Sequence, residues 1–169
     1  GTSSDRVYIL GNEGGKAVAK VTPLAYPNLY AYNTHATPPP FPLERNLIVQ
    51  VVPYAFQTVG TPQEMMPLCQ KKSGQLYLYD YYGLPDWHFD VPLHGRWSPQ
   101  SLVDKLREWQ KYNIRGFMLE SSFSTGSSGI GLYWAARLGW NMNEDLNTVQ
   151  KDYYRQMFGA AAPHIIKYY

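Results

Sequence analysis

The clearest strand-to-helix unit of the chain is residues 115–141, RGFMLESSFSTGSSGIGLYWAARLGWN. Its short apolar run, Gly116–Leu119, predicts a strand that ends at a carboxylate, Glu120. The Ser/Gly-rich segment 121–131 predicts a loop, and Leu132–Trp140 predicts a helix of small residues. Strand, loop and helix in this order form the repeating unit of a (β/α) barrel or a doubly wound sheet. In both folds, polar residues just after a strand are the first candidates for chemistry.

Three further segments with strand-like composition precede this unit. They are Leu29–Thr34, Asn46–Tyr54 and Gln75–Tyr82. The second is almost continuously apolar and stops at Pro53, which is typical of a parallel strand covered on both faces. Alternation along the third puts Asp80 on one face with its leucines and the odd-numbered tyrosines on the other.

Helical patterns separate most of these strands. The first helix begins near Ser4, and Thr61–Glu64 is a capping box that begins the second, which Pro67 should shorten or break. Ser98 begins a third helix, which has Leu102, Val103, Leu106 and Trp109 on one face. Asn143 is expected to cap the first of two C-terminal helices. The positions of that helix expected to face inward are Leu146, Val149, Tyr153 and Met157, and it is expected to stop at Gly159. The second is predicted over Ala160–Tyr169.

The order α, β, β, α, β, α, β, α, α, α predicts an α/β fold with a parallel sheet. The 169 residues are expected to form a single domain, because the chain is 44% hydrophobic and long enough for one core. Four strands are half of an eight-stranded barrel, so residues 1–169 are expected to be a partial (β/α) barrel domain. A self-contained open α/β sheet is the alternative.

Composition argues against several classes of function. A net charge of +2, spread evenly, does not suggest a nucleic-acid partner, and no apolar run is long enough to cross a membrane. The start of the chain lacks the pattern of a secretion signal. Cys69 is the only cysteine, and the four histidines show no metal-ligand spacing. We therefore expect no metal and no organic cofactor.

Two carboxylates are the candidate catalytic residues. Asp80 and Glu120 each close an apolar strand, and parallel strands end at one rim. Glycoside hydrolysis uses such a pair, in which one group protonates the leaving oxygen and the other activates water or attacks carbon. The alternative, equally compatible with the spacing, is that each caps a helix or pairs with an arginine such as Arg115 or Arg137.

Aromatic residues are abundant, with 15 Tyr, 5 Trp and 6 Phe. Most should fill the core, but those at strand ends offer an apolar face and a polar tip, which suits sugar rings. The candidate sugar-contacting residues follow the first strand or begin the loop after the third: Tyr32, Asn33, His35, Tyr82, Trp87 and His88. A solvated turn and simple packing of the long loop at 83–97 are the alternatives.

Four segments together resemble the bacterial domain of unknown function 4838: LYLYDYYG, YNIRGFMLESS, GIGLYWAARLGWN and DLNTVQKDYYRQMFGAAAPHIIKYY. That family is similar to glycoside-hydrolase-type (β/α) barrels in the style of α-glucuronidases and hexosaminidases. The resemblance implies that this chain is the C-terminal half of a (β/α)8 TIM-type barrel, with the other half supplied by the same parent chain. It also implies that Asp80 and Glu120 activate water, with the general acid outside this chain.

The expectation is a glycoside hydrolase-like domain that acts on a polysaccharide or glycoconjugate. A non-catalytic carbohydrate-binding barrel is the alternative from another functional class. The expected partner is a carbohydrate, with no nucleic acid and no membrane. The sequence does not identify a compartment, although the resemblance is compatible with secretion or a periplasmic location.

Overall fold

The α/β prediction is confirmed by a computed structural model, which describes residues 1–81, 99–120 and 125–168. The described residues form a parallel four-stranded sheet together with helices. The chain divides into two compact units. The first comprises Gly1–Asp80 and Gln110–Met118, and the second comprises Tyr81–Trp109 and Leu119–Tyr169.

The helices and strands follow one another in the predicted order. They are α1 (Ser3–Val21), β1 (Asn28–Ala31), β2 (Ile48–Val51), α2 (Pro62–Lys72), β3 (Gln75–Asp80), α3 (Pro99–Gln110), β4 (Phe117–Leu119), α4 (Thr125–Trp140), α5 (Leu146–Phe158) and α6 (Ala162–Tyr168). Short 3-10 turns cover Asn33–His35, Pro53–Thr58 and Gly159–Ala161.

The strands lie side by side in chain order, β1-β2-β3-β4. Tyr30 of β1 is opposite Gln50 of β2, which is opposite Tyr77 of β3, so these side chains lie on one face. The N–H of Leu78 donates to the carbonyl of Gly116 at 3.0 Å, which joins β3 to the start of β4. The sheet is open, with β1 and β4 at its edges.

One face of the sheet, here called the helix side, is apolar and packs against α1 and α2. Leu29, Val49 and Leu76 lie opposite one another on it and are largely buried. A Cβ on Gly11 of α1 would lie 2.4 Å from Cδ2 of Leu29, so only glycine allows this close contact. Cys69 of α2 lines one small cavity with Val49. The core of the first unit therefore lies between this face and the two helices.

Capping boxes begin both helices of the first unit. At α1, Thr2 and Asp5 exchange hydrogen bonds of 2.8 and 3.1 Å between side chain and backbone. The predicted box at Thr61–Glu64 is confirmed for α2. The expectation that Pro67 breaks this helix is wrong, since α2 is continuous. A proline removes one backbone hydrogen bond, and burial of Met66 and Cys69 on either side offsets that loss.

In the second unit, the prediction for α3 is confirmed and the prediction of a loop at 121–131 is wrong from Thr125 onward, because α4 begins there. Ile130, Trp134 and Leu138 are buried at helical spacing, so an apolar stripe extends back into the Ser/Gly segment. Glycine costs about 1 kcal/mol relative to alanine in a helix, and tertiary packing of this stripe outweighs that local cost. The buried face of α3 is the predicted one: Leu102, Val103, Leu106 and Trp109.

The start of α5 also differs from the prediction. Asp145, not Asn143, is the N-cap, and its side chain accepts a hydrogen bond of 2.8 Å from the N–H of Thr148. Met157 was expected to face inward but is 54% exposed, while Tyr154 is buried instead. The end at Gly159 follows the prediction, with a φ of 50° that favours glycine. The second C-terminal helix begins later than predicted, because Gly159–Ala161 form a 3-10 turn and α6 starts at Ala162.

Candidate functional site

The carboxyl edge of the sheet collects the polar side chains that follow the strands. Tyr32 follows β1, and the turn after β2 contains Tyr54. Asp80 is the last residue of β3, and Glu120 comes directly after β4. Because β1, β2 and β3 of the first unit are parallel, the carboxyl ends of these three strands meet at one edge of the sheet. This is the edge at which open and closed parallel sheets bind ligands.

Tyr32 and Tyr54 form a pair at this edge. Their hydroxyl oxygens are 2.5 Å apart, and their rings meet edge to face with centroids 5.8 Å apart. Tyr54 is 44% exposed, so the pair is accessible from solvent. Tyr54 was not among the predicted site residues, because it fell inside the predicted strand Asn46–Tyr54. The signal for its position was Pro53, since β2 ends at Val51 and Pro53 begins the 3-10 turn that contains Tyr54.

The 3-10 turn after β1 holds the other two predicted residues of this strand end. Asn33 is exposed and has a φ of 48°, a left-handed conformation that asparagine tolerates better than most residues. The N–H of His35 donates to the carbonyl of Tyr32 at 3.0 Å, which closes the turn. The structure thus brings Tyr32, Asn33 and His35 together beside Tyr54.

The two predicted catalytic carboxylates have different surroundings. Asp80 is 6% exposed, and alternation along β3 puts its side chain on the helix side with Leu76 and Leu78. Glu120 is partly exposed and belongs to the second unit. The candidate residues Tyr82, Trp87 and His88 lie outside the described residues.

The opposite face of the sheet, here called the tyrosine side, carries Tyr30, Gln50, Tyr77 and Tyr79. The rings of Tyr30 and Tyr79 meet edge to face at 5.2 Å between centroids. The hydroxyl of Tyr30 donates to the sulfur of Met118 in β4 at 3.8 Å. These contacts fix an aromatic surface beside the carboxyl edge.

Gly116 makes room on the tyrosine side for one of these rings. A Cβ at this position would lie 2.6 Å from Cε1 of Tyr77, so the ring lies directly over the backbone that leads into β4. Any larger residue at 116 would displace the ring. The glycine therefore helps to set the shape of the tyrosine side.

A family model described as a domain of unknown function (DUF4838) matches residues 2–169. The chain belongs to this family. The resemblance drawn from the sequence is thereby confirmed for almost its full length. Comparison of this DUF4838 domain with curated proteins and with solved structures gave no match.

Charged groups of the DUF4838 domain form a network in its second unit. Arg137 pairs with Glu144 at 2.5 Å and with Asp152 at 2.9 Å. Arg137 was one of two arginines considered as partners of Asp80 or Glu120, and these two ion pairs engage it with other carboxylates. Hydrogen bonds from Tyr133 and Arg155 lower the pKa of Asp152 to about 2. The network joins the end of α4 to α5, which indicates a structural role.

Cys69 and the possible metal ligands bear on two other kinds of chemistry. Burial raises the pKa of the Cys69 thiol to about 12, so the thiolate nucleophile is scarce at neutral pH. Residues 1–81, 99–120 and 125–168 contain no group of three or more His, Cys, Asp or Glu side chains able to hold a metal ion. In the same ranges, no helix has the length and apolarity needed to cross a bilayer.

Proposed function

We propose that this DUF4838 domain is a glycoside hydrolase-like sector of a (β/α)8 barrel and acts on a polysaccharide or glycoconjugate. The observation that carries the proposal is the carboxyl edge, where the Tyr32–Tyr54 pair and the turn with Asn33 and His35 lie together. Sugar rings have an apolar face for tyrosine rings and hydroxyls for amide, imidazole and phenol groups. The edge offers both kinds of contact.

The order of the strands supports the barrel part of the proposal. A doubly wound sheet reverses its strand order at a switch point, whereas a barrel keeps chain order. The four strands here follow chain order, and α1 and α2 both pack against the helix side. We propose that the chain is the C-terminal half, completed by strands from the same parent chain.

Glu120 and Asp80 are the proposed acid/base or water-positioning carboxylates. Each directly follows or ends a strand of the parallel sheet. Glu120 is the stronger candidate for contact with substrate, because it is partly exposed whereas Asp80 is 6% exposed. Buried on the helix side, Asp80 is better suited to positioning its neighbours than to attacking a sugar.

The test compares Glu120→Gln and Asp80→Asn in the intact protein, with Glu13→Gln as a matched control on the exposed surface of α1. Release of reducing ends from a panel of polysaccharides measures turnover, and calorimetry measures binding. Loss of a catalytic carboxylate should lower the rate by about 10² or more while sugar still binds. Turnover at the wild-type rate in both variants would end the assignment of these residues.

A non-catalytic carbohydrate-binding barrel is the second candidate, and the burial of Asp80 on the helix side favours it. Two carboxylates on one mouth are required for hydrolysis but not for binding. This alternative predicts sugar binding without release of reducing ends in the wild-type protein. It also predicts that Tyr54→Phe weakens binding, whereas Tyr26→Phe, an exposed tyrosine before β1, does not.

A further inference from the structure

Gln50 is a buried polar residue with an unusual position on the tyrosine side. It lies in β2 between Tyr30 and Tyr77 and is 5% exposed. Its carbonyl oxygen, Oε1, is buried and accepts no hydrogen bond from the part of the chain that the structure describes. A buried amide oxygen without a donor is destabilising, so natural proteins rarely keep one without a reason.

Tyr30 covers this amide. Its side chain starts on β1, contacts the ring of Tyr79 on β3 and reaches the sulfur of Met118 on β4. Since Tyr30 is paired with Gln50 and β2 lies between β1 and β3, these contacts place the Tyr30 side chain across the Gln50 position. Tyr30 is itself 39% exposed, so solvent lies on its outer face.

The hydrogen bond that Tyr30 makes to Met118 is weak. A thioether sulfur is a poor hydrogen-bond acceptor, and the distance is 3.8 Å. Moving Tyr30 aside would give up this bond and the edge-to-face contact with Tyr79, but would open Oε1 of Gln50 to a donor. The amide oxygen of Gln50 is a stronger acceptor than the sulfur that the Tyr30 hydroxyl contacts.

We propose that Gln50 is the floor of a sugar subsite that Tyr30 covers in the free protein. When Tyr30 swings away, a hydroxyl of a neutral pyranose donates a hydrogen bond to Oε1 of Gln50, and the ring stacks on the tyrosines. This inference rests on the proposed function and adds to it a specific floor, a movable cover and a class of ligand.

The chemistry of the face defines the ligand as neutral. The tyrosine-side positions of β1, β2 and β3 are all uncharged: Asn28, Tyr30, Ile48, Gln50, Gln75, Tyr77 and Tyr79. A carboxylate placed there would lose its hydration and would meet no cation from these seven positions, which is costly. A neutral hydroxylated ring loses little and supplies the donor that Gln50 lacks.

The experiment measures binding of methyl glycosides of glucose, galactose, mannose and N-acetylglucosamine, with glucuronic acid as the charged comparison. Gln50→Leu keeps the size and removes the acceptor, and Tyr30→Phe keeps the ring and removes the bond to Met118. We expect Gln50→Leu to weaken neutral glycoside binding about tenfold and Tyr30→Phe to preserve or strengthen it. Because Oε1 has no partner to lose, Gln50→Leu should melt at or above the wild-type temperature.

Three results would overturn the inference. Unchanged affinity in Gln50→Leu, with loss of binding in Tyr54→Phe, would remove the Gln50 subsite and leave the proposed function standing. Glucuronic acid binding as tightly as the neutral glycosides would contradict the ligand class. A Gln50→Leu variant that melts several degrees lower would show that the amide has a partner, and that measurement needs no ligand. If the wild-type protein binds none of the glycosides, both proposals fall.

Discussion

The two faces of the sheet differ in what their side chains can do. The helix side is built from leucine, valine and alanine packed against α1 and α2, and it is buried. The tyrosine side carries hydroxyls, an amide and partly exposed rings. Adjacent residues of the same strands therefore have different surroundings. The helix side stabilises the first unit, and we propose that the tyrosine side recognises a polar ring.

The largest expected effect compares one substitution on each side. Leu78→Ala on the helix side, where Leu78 is 1% exposed, should lower the free energy of unfolding by about 2–5 kcal/mol because it leaves a cavity. Tyr30→Ala on the tyrosine side should cost clearly less, since that ring is 39% exposed. Urea unfolding monitored by tryptophan fluorescence measures both. Equal losses would contradict the division of tasks.

Two glycines of α1 sharpen the comparison further. Gly11→Ala should lower the free energy of unfolding by about 1–3 kcal/mol, because its Cβ would meet Leu29 at 2.4 Å and force α1 away from the sheet. Gly14→Ala is the matched control, since nothing lies within 4 Å of its Cβ. That substitution should stabilise the helix by up to about 1 kcal/mol. Urea unfolding of both variants measures these changes. A Gly11→Ala variant as stable as the wild type would mean that α1 packs less closely on the sheet than the 2.4 Å distance indicates.

Gly116→Ala makes the corresponding change on the tyrosine side. Its Cβ would meet the ring of Tyr77 at 2.6 Å, and a partly exposed ring can turn away more easily than a packed helix. We expect a loss of about 1 kcal/mol in stability, within the usual range for a point substitution. Glycoside affinity should nevertheless fall severalfold, because the ring surface changes shape. Reduced stability with unchanged affinity would separate Tyr77 from the binding surface.

The smallest expected effect lies outside the sheet and serves as a contrast to both faces. Hydrogen bonds from Tyr133 and Arg155 hold the pKa of Asp152 at about 2, below the value near 3.9 of an unfolded chain. Its contribution to stability is therefore fully present above about pH 4 and is lost as the pH falls towards 2. Wild-type melting temperature should drop more steeply than that of Asp152→Asn between pH 5 and 2.5. Parallel curves would show that the network contributes nothing.

The fold was predictable from sequence where the signals are local. The succession of helices and strands, the capping box at Thr61–Glu64 and the buried face of α3 each follow from local residue patterns. The helix at Thr125 and the unbroken α2 were not, because tertiary burial of apolar stripes outweighs unfavourable glycine and proline there. Helix propensity depends on the residues of one segment and does not include the tertiary contacts that the segment makes.

The position of the candidate site was predictable in part for the same reason. Tyr32, Asn33 and His35 were expected after the first strand, and the structure places them at the carboxyl end of β1. Tyr54 was missed because the end of β2 was placed three residues too late. Alternation put Asp80 with the leucines of β3, but only packing reveals which face the helices cover.

The most direct test of a sugar-binding tyrosine side is an NMR titration of the ¹⁵N-labelled protein with neutral methyl glycosides. We predict that backbone signals of β1 and β2 near Tyr32, Gln50 and Tyr54 shift together and saturate, while those of α1 and of the exposed Tyr26 stay in place. Shifts confined to the helices, or no saturable shift with any neutral glycoside, would contradict carbohydrate recognition at this face.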